Sequence, residues 1–225
     1  MIPGFGSSGK KAIPDNQVPQ NGDGDFEAAP GVRDVIGEGR IMVRYRVEVE
    51  TGIDWGELPP WTAERFAEAV DEVFADPRGW AASAAAPITE PEHGMSGESW
   101  QFQRVGDDEH VTLRLATPAT VDAQCARAGV DTEGVYSCRF QNTIMVNLKR
   151  WLQGADPAPS VQSYRAGVIN HEVGHFLGFA HQGCPGRGRP APVMMQQTIA
   201  LDGCRPNEWP FSEDGEFITG TWQDS

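Results

Sequence analysis

The pattern of apolar and polar positions predicts a strand followed by a helix in the first half of the chain. Apolar residues alternate with polar ones over residues 41–50, which places every second side chain on one face of a strand. A helical spacing follows over about 13 residues, with Thr62 as the N-cap and Asp76-Pro77 as the stop. The apolar face of this helix comprises Phe66, Ala69, Val70, Val73 and Phe74.

Four further strands are predicted downstream, in two consecutive pairs. Ser99–Val105 and His110–Ala116 are expected to form a hairpin, because the polar residues 106–109 between them suit a turn. Tyr136–Phe140 and Thr143–Lys149 form the second predicted pair. Together with the first strand they predict a sheet of five strands.

Two more helices complete the predicted elements. Thr120–Arg127 is compatible with a short helix, and a long one is predicted over Val161–Leu177 with Ser160 as its N-cap and Gly178 at its end. Beyond Ala180 no regular element is predicted. The order of elements therefore predicts an α+β fold, a mixed sheet covered by two main helices.

Residues 1–38 are rich in Gly, Pro, Asp, Asn and Ser, which predicts a disordered linker or pro-segment. Order is expected to begin near Gly39, and residues 39–225 are long enough for one domain with its own core. No apolar stretch approaches the ~20 residues of a spanning helix, and no signal peptide is visible. The chain is therefore expected to be cytoplasmic or the soluble part of a longer protein.

The formal charge of -14, from 32 acidic and 18 basic residues, argues against nucleic acid and anionic membranes as partners. The four cysteines form no Cys-x-x-Cys pattern, so a thiolate zinc site is not expected. Of the three connectivities, Cys125–Cys138 and Cys184–Cys204 are predicted, with four free thiols in a reducing compartment as the alternative. Disulfides favour an extracytoplasmic setting.

One eleven-residue run carries the candidate chemistry: His171-Glu172-Val173-Gly174-His175-Phe176-Leu177-Gly178-Phe179-Ala180-His181. On a helix, His171 and His175 lie one turn apart on the same face, so both imidazoles reach a single metal ion. Glu172 projects beside the metal, where it holds a water molecule without being a ligand. This is the His-Glu-x-x-His arrangement of zinc proteases.

Gly178 explains how a third ligand follows from outside the helix. Glycine adopts a left-handed conformation without steric cost, so the helix ends sharply and the chain turns back towards His181. Three protein ligands with one open position are what a catalytic zinc ion requires. A structural zinc site would need a fourth ligand, from Asp202 or Glu172. The remaining histidines, His93 and His110, are expected to be ordinary loop and strand residues.

The full pattern His-Glu-x-x-His-x-x-Gly-x-x-His resembles the metzincin clan of zinc endopeptidases, in which a methionine lies in a tight turn beneath the zinc. Met194 fits that position better than its neighbour Met195, because Val193-Met194 resembles the usual hydrophobic-Met pair. The resemblance covers roughly residues 39–204. It implies a zincin-like fold with an N-terminal subdomain, 39–178, and a C-terminal subdomain, 179–225, that holds the Met-turn.

Within that clan, the segments 171–181, 190–198 and 203–207 look like a group of uncharacterised actinobacterial secreted domains of unknown function. This resemblance implies an extracytoplasmic zinc protease but no substrate. Some metzincins use a tyrosine two residues after the turn methionine as a further ligand. Gln196 (or Gln197) occupies that position here, so no such ligand is predicted.

The metzincin resemblance implies that Glu172 is the general base, taking a proton from the zinc-bound water and giving it to the leaving amine. Tyr136, Tyr164 or another group is expected to stabilise the oxyanion, and the sequence does not choose between them. A peptide substrate is expected to add to an edge strand near Val135–Phe140, with Val193–Asp202 as the wall of the pocket beyond the scissile bond.

Some alternatives stay open. The same zinc chemistry would serve cell-wall peptides or non-peptide bonds, and a binding module could keep the zinc helix without activity. A carboxylate plug from Asp23 or Asp25 is a further hypothesis, for latency. The protein is expected to be a monomer.

Overall fold

The computed structural model describes residues 13–31 and 34–223. The helices are α1 (Ala63–Ala75), α2 (Pro118–Ala126), α3 (Leu148–Gln153) and α4 (Val161–Phe176). The strands are β1 (Phe26–Ala28), β2 (Val35–Ile36), β3 (Ile41–Glu50), β4 (Ile88–Glu90), β5 (Met95–Glu98), β6 (Trp100–Arg104), β7 (Val111–Ala116), β8 (Cys138–Phe140) and β9 (Thr143–Asn147).

The main sheet is mixed and has seven strands rather than the five predicted. Its order is β2-β6-β3-β7-β9-β8, and β1 pairs with the end of β3. The additional strands β1 and β2 fall within the predicted linker, so ordered structure begins before Gly39. Both strands are too short to produce a periodic pattern in the sequence. A separate two-stranded sheet, β4-β5, was also not predicted.

The predicted hairpin between Ser99–Val105 and His110–Ala116 is wrong. Strands β6 and β7 both run parallel to β3, on opposite sides of it, with β6 beside its first half and β7 beside its second half. The connecting turn crosses β3 next to Tyr45, whose carbonyl oxygen accepts a hydrogen bond from the Val105 amide at 2.9 Å. A polar turn between two alternating segments does not reveal that a third strand lies between them.

Helix α1 is confirmed, including its cap. The Thr62 hydroxyl accepts a hydrogen bond from the Arg65 amide at 3.2 Å, which satisfies one of the free amides of the first turn. The buried face of α1 packs against the sheet, where the Phe74 ring stacks on Phe102 at 4.4 Å and meets Tyr45 edge-on at 4.8 Å. Each such fully buried aromatic side chain contributes roughly 1.5–3 kcal/mol of transfer free energy.

Helix α4 is also confirmed, and α3 precedes it unexpectedly. The Ser160 hydroxyl accepts from the Ser163 amide at 3.0 Å and caps α4. The predicted strand Thr143–Lys149 ends at Asn147, because the Asn147 side chain accepts from the Lys149 amide and starts α3 there. Among the described residues, no helix combines the length and the apolar character needed to cross a bilayer.

Both predicted disulfides are present. Cys125–Cys138 joins α2 to β8, and Cys184–Cys204 joins two parts of the segment after α4. That segment has isolated bridges but no helix or extended strand in its described part, as predicted.

Candidate metal and active site

Three histidine side chains converge at the C-terminal end of α4. The Nε2 atom of His175 lies 3.2 Å from that of His171 and 3.1 Å from that of His181. One ligand atom from each histidine lies within 4.8 Å of the other two, and no other such group occurs among the residues described. The structure therefore brings together the three residues predicted as metal ligands.

The second nitrogen of two of these rings is held by a backbone carbonyl. His171 Nδ1 lies 2.8 Å from the Val193 oxygen, and His175 Nδ1 lies 2.8 Å from the Phe179 oxygen. A carbonyl oxygen can only accept, so each Nδ1 carries the proton and donates it. This leaves Nε2 with a free lone pair facing the other rings, as a metal ligand requires.

The donor set fits a zinc ion. Two imidazole nitrogens bound tetrahedrally at the usual zinc–nitrogen distance would lie about 3.3 Å apart, close to the two observed separations. Loss of solvent and the neighbouring histidines lower the pKa of His171 to about 3. Loss of solvent also lowers the pKa of His175 to about 4, and it lowers the pKa of His181. All three rings are thus neutral at pH 7, which is the form that binds metal.

Glu172 is buried beside the triad, with 8% of its surface exposed. Its burial raises the pKa of its carboxyl to about 7, and the positive charge of Arg139 opposes that rise. A carboxyl group with a pKa near neutrality can both accept and release a proton under physiological conditions. The burial and the raised pKa of Glu172 are therefore typical of a general base and not of an exposed surface carboxylate.

Gly178 and the C-terminal segment position His181. Gly178 has a φ of +105°, a left-handed conformation that ends α4 as predicted. The carbonyl oxygen of His181 accepts a hydrogen bond from the Gln223 amide at 2.8 Å. Trp222 stacks on Phe179 with ring centroids 5.6 Å apart. The sequence did not indicate this role of the C-terminal segment, because the contacts lie far apart along the chain.

The two remaining histidines lie outside the triad. The His93 ring stacks on Trp222 at 3.7 Å, and His93 ends a short 3-10 helix. His110 lies just before β7, where its Nδ1 accepts from the Arg44 amide at 3.2 Å.

The two adjacent methionines have different positions. The Met194 side chain packs beneath α4 against Gly174. The Met195 amide closes a turn by donating to the Pro192 oxygen at 3.0 Å, and its side chain lines the cleft. Met194 is thus the methionine beneath the helix that carries His171 and His175.

A cleft of about 530 Å³ runs along α4 past the triad. One wall is the segment before and including β8, the edge strand of the main sheet, and the opposite wall comes from residues 193–199 and 206–208. Three large hydrophobic residues that line the cleft are partly exposed. The exposed fraction is 38% for Val130, 39% for Tyr136 and 67% for Ile199. Both tyrosines proposed as oxyanion partners, Tyr136 and Tyr164, also face the cleft.

The proposed carboxylate plug is not formed. Asp23 accepts hydrogen bonds from the Thr51 hydroxyl at 2.8 Å and the Asp25 amide at 3.0 Å. The Asp25 carbonyl oxygen accepts a hydrogen bond from the Thr51 amide at 2.9 Å. These contacts hold both aspartates at the end of β3, and neither lines the cleft.

Residues 13–214 match the family described as "Protein of unknown function (DUF3152)", and the chain belongs to this family. The match covers β1 and β2 as well as the triad. Comparisons with curated proteins and with solved structures give no significant match.

Proposed function

We propose that this member of the DUF3152 family is a zinc-dependent endopeptidase. His171, His175 and His181 would hold the ion, and Glu172 would act as the general base. The observation that carries the proposal is the convergence of the three imidazoles beside a buried carboxyl group whose pKa is raised to about 7.

When bound, zinc supplies Lewis acidity, which acidifies water and polarises a carbonyl group. The protein supplies the proton transfer. Glu172 takes a proton from the attacking water and delivers it to the amine of the leaving group. The two backbone carbonyls that bind His171 and His175 keep both rings in one tautomer and orientation during turnover.

The cleft suits an extended polymer. One edge of β8 pairs with β9, and its residues 138 and 139 line the cleft, so a peptide could add to the sheet by main-chain hydrogen bonds. The exposed apolar side chains of Val130, Tyr136 and Ile199 would cover the apolar parts of such a substrate. The wall at 193–199 would receive the side chain next to the scissile bond.

Three features support a metzincin-type, zincin-like fold. They are the third histidine after Gly178, Met194 beneath α4, and the edge strand beside the cleft. The two disulfides favour secretion, because they persist in oxidising compartments.

The alternatives are a zinc hydrolase for cell-wall peptides or non-peptide bonds, and an inactive binding module. The burial of Glu172 favours an enzyme. Burying a carboxyl group next to the ligands costs free energy, and a scaffold that only binds zinc gains nothing from it.

The test is cleavage of a peptide library by the wild type and by Glu172→Gln, with Glu213→Gln as a control for loss of an exposed carboxylate. We expect chelator-sensitive cleavage that falls at least about a hundredfold in Glu172→Gln, with zinc retained, and stays unchanged in Glu213→Gln. Undiminished cleavage by Glu172→Gln would disprove the mechanism. Zinc binding without cleavage of any peptide would support the binding module or another bond type.

A further inference from the structure

Glu208 lies on the wall of the cleft next to α4. Its backbone oxygen accepts a hydrogen bond from the Asn170 side chain at 3.0 Å, which fixes residue 208 against the helix. Its side chain lies across Gly167, where an added Cβ would stand 3.7 Å from the Glu208 Cγ. Gly167 precedes His171 by one helical turn, about 6 Å along the axis. Residue 208 therefore lies beside α4 about one helical turn before His171, on the wall of the cleft that also contains the triad.

Within the described ranges, the Glu208 carboxylate forms no hydrogen bond or ion pair. The charge of Glu208 acts on Arg78, but the Arg78 guanidinium is already bound by Asp76 through two hydrogen bonds of 2.9 Å. Glu208 is half-buried. A half-buried carboxylate on a cleft wall without a cation in contact is a ready binding site for a charged ligand group.

We propose that Glu208 makes this end of the cleft a subsite for a basic side chain, so that the enzyme cleaves next to lysine or arginine. This inference rests on the proposed function. The long aliphatic part of a lysine or arginine would pack on Val168 and Ile199, and its charged end would reach Glu208.

The other charged groups of the cleft leave this subsite negative. Arg139 lies on the opposite wall, in β8, and its Nη1 is bound to the Gln141 oxygen. The Asp131 carboxylate is exposed and accepts from the Glu133 amide. The formal charge of -14 over the whole chain would also draw cationic substrates towards the protein.

In the experiment, a peptide library is digested by zinc-loaded protein and the cleavage sites are identified. The proteins compared are the wild type, Glu208→Gln, Glu208→Lys and the control Glu213→Gln. We expect wild type and control to prefer lysine or arginine at one position beside the cleaved bond. Glu208→Gln should lower kcat/KM for those peptides by roughly tenfold to a hundredfold and leave neutral peptides nearly unchanged. Glu208→Lys should favour acidic residues at that position.

A second readout does not depend on turnover. The affinity of a lysine-containing peptide for the Glu172→Gln protein should fall to a similar extent when Glu208→Gln is added. Metal-dependent cleavage that shows no preference for lysine or arginine would overturn the subsite and leave the proposed function standing. The same holds if the preference for lysine or arginine persists in Glu208→Gln. Absence of any metal-dependent cleavage would overturn both.

Discussion

The sulfur atom of Met194 occupies the space next to Gly174 into which any side chain at residue 174 would project. On the same side, Cζ2 of Trp80 would lie 2.9 Å from a Cβ at this position, which is closer than real contacts allow. Gly174 lies directly before His175, so the packing of Met194 against Gly174 sets the position of α4 where it carries His171 and His175. The close packing of Met194 therefore requires a residue without a side chain at position 174.

Gly174→Ala is expected to destabilise the protein by about 1–3 kcal/mol, because the new methyl group overpacks a filled core. Zinc affinity should fall as well, since the contact with the rigid Trp80 ring displaces α4 and the histidines that it carries. Urea unfolding and zinc titration measure the two effects. Gly167→Ala is the matched control on the same helix. Its Cβ would meet Glu208 at ordinary contact distance, and the stability should stay the same or rise slightly. Equal stabilities of the two variants would contradict this account.

In the metal-free protein, His171 and His175 are expected to contribute less stability as the pH falls below 6.5, whereas the raised pKa of Glu172, about 7 instead of 4.5, opposes this loss. The folded-state pKa of His171 is lowered to about 3 and that of His175 to about 4, from 6.5. The unfolded chain therefore takes up protons first, and the stability that is complete above pH 6.5 is lost progressively towards the folded pKa values. Urea unfolding at pH 7.5 and 5.0 measures the loss. It should be smaller in His171→Gln, and an equal loss in both proteins would show that His171 does not contribute.

Tyr136 is expected to contribute more to catalysis than Tyr164. Tyr164 precedes His171 by seven residues on α4, a rise of about 10 Å along the helix axis. Tyr136 lies on the wall of the cleft formed by the segment before β8, and 39% of its surface is exposed. Tyr136→Phe should lower kcat by roughly tenfold or more, whereas Tyr164→Phe should change mainly KM. The reverse result in steady-state kinetics would assign the oxyanion role to Tyr164.

The sequence predicted the parts of the fold that depend on local patterns. The caps at Thr62 and Ser160, the helical stop at Gly178 and the two disulfides are all present, because each depends on residues that are close in sequence. The histidine triad was predictable for the same reason, since its first and last members lie only ten positions apart in the sequence.

The neighbours of each strand were not predictable in this way. Nothing in β6 or β7 shows that β3 lies between them, because pairing is set by the whole sheet. The position of Glu208 on the cleft wall was not predicted, because its place beside Gly167 depends on how the C-terminal segment folds back. In the described part of the predicted linker, β1 was not predicted, since it is held by backbone pairing with β3 rather than by an apolar pattern of its own. Residues 1–12 of that linker lie outside the described residues.

Zinc binding by the triad is tested by counting the zinc ions bound per chain in the wild type and in His181→Ala. His110→Ala serves as the control, because His110 lies just before β7, where its Nδ1 accepts a hydrogen bond from the Arg44 amide. We expect one zinc per chain in the wild type and the control, and at least a tenfold weaker affinity in His181→Ala, measured by titration against a competing chelator. Wild-type protein that binds no zinc, or His181→Ala protein that binds it as tightly as the wild type, would show that the triad is not a zinc site.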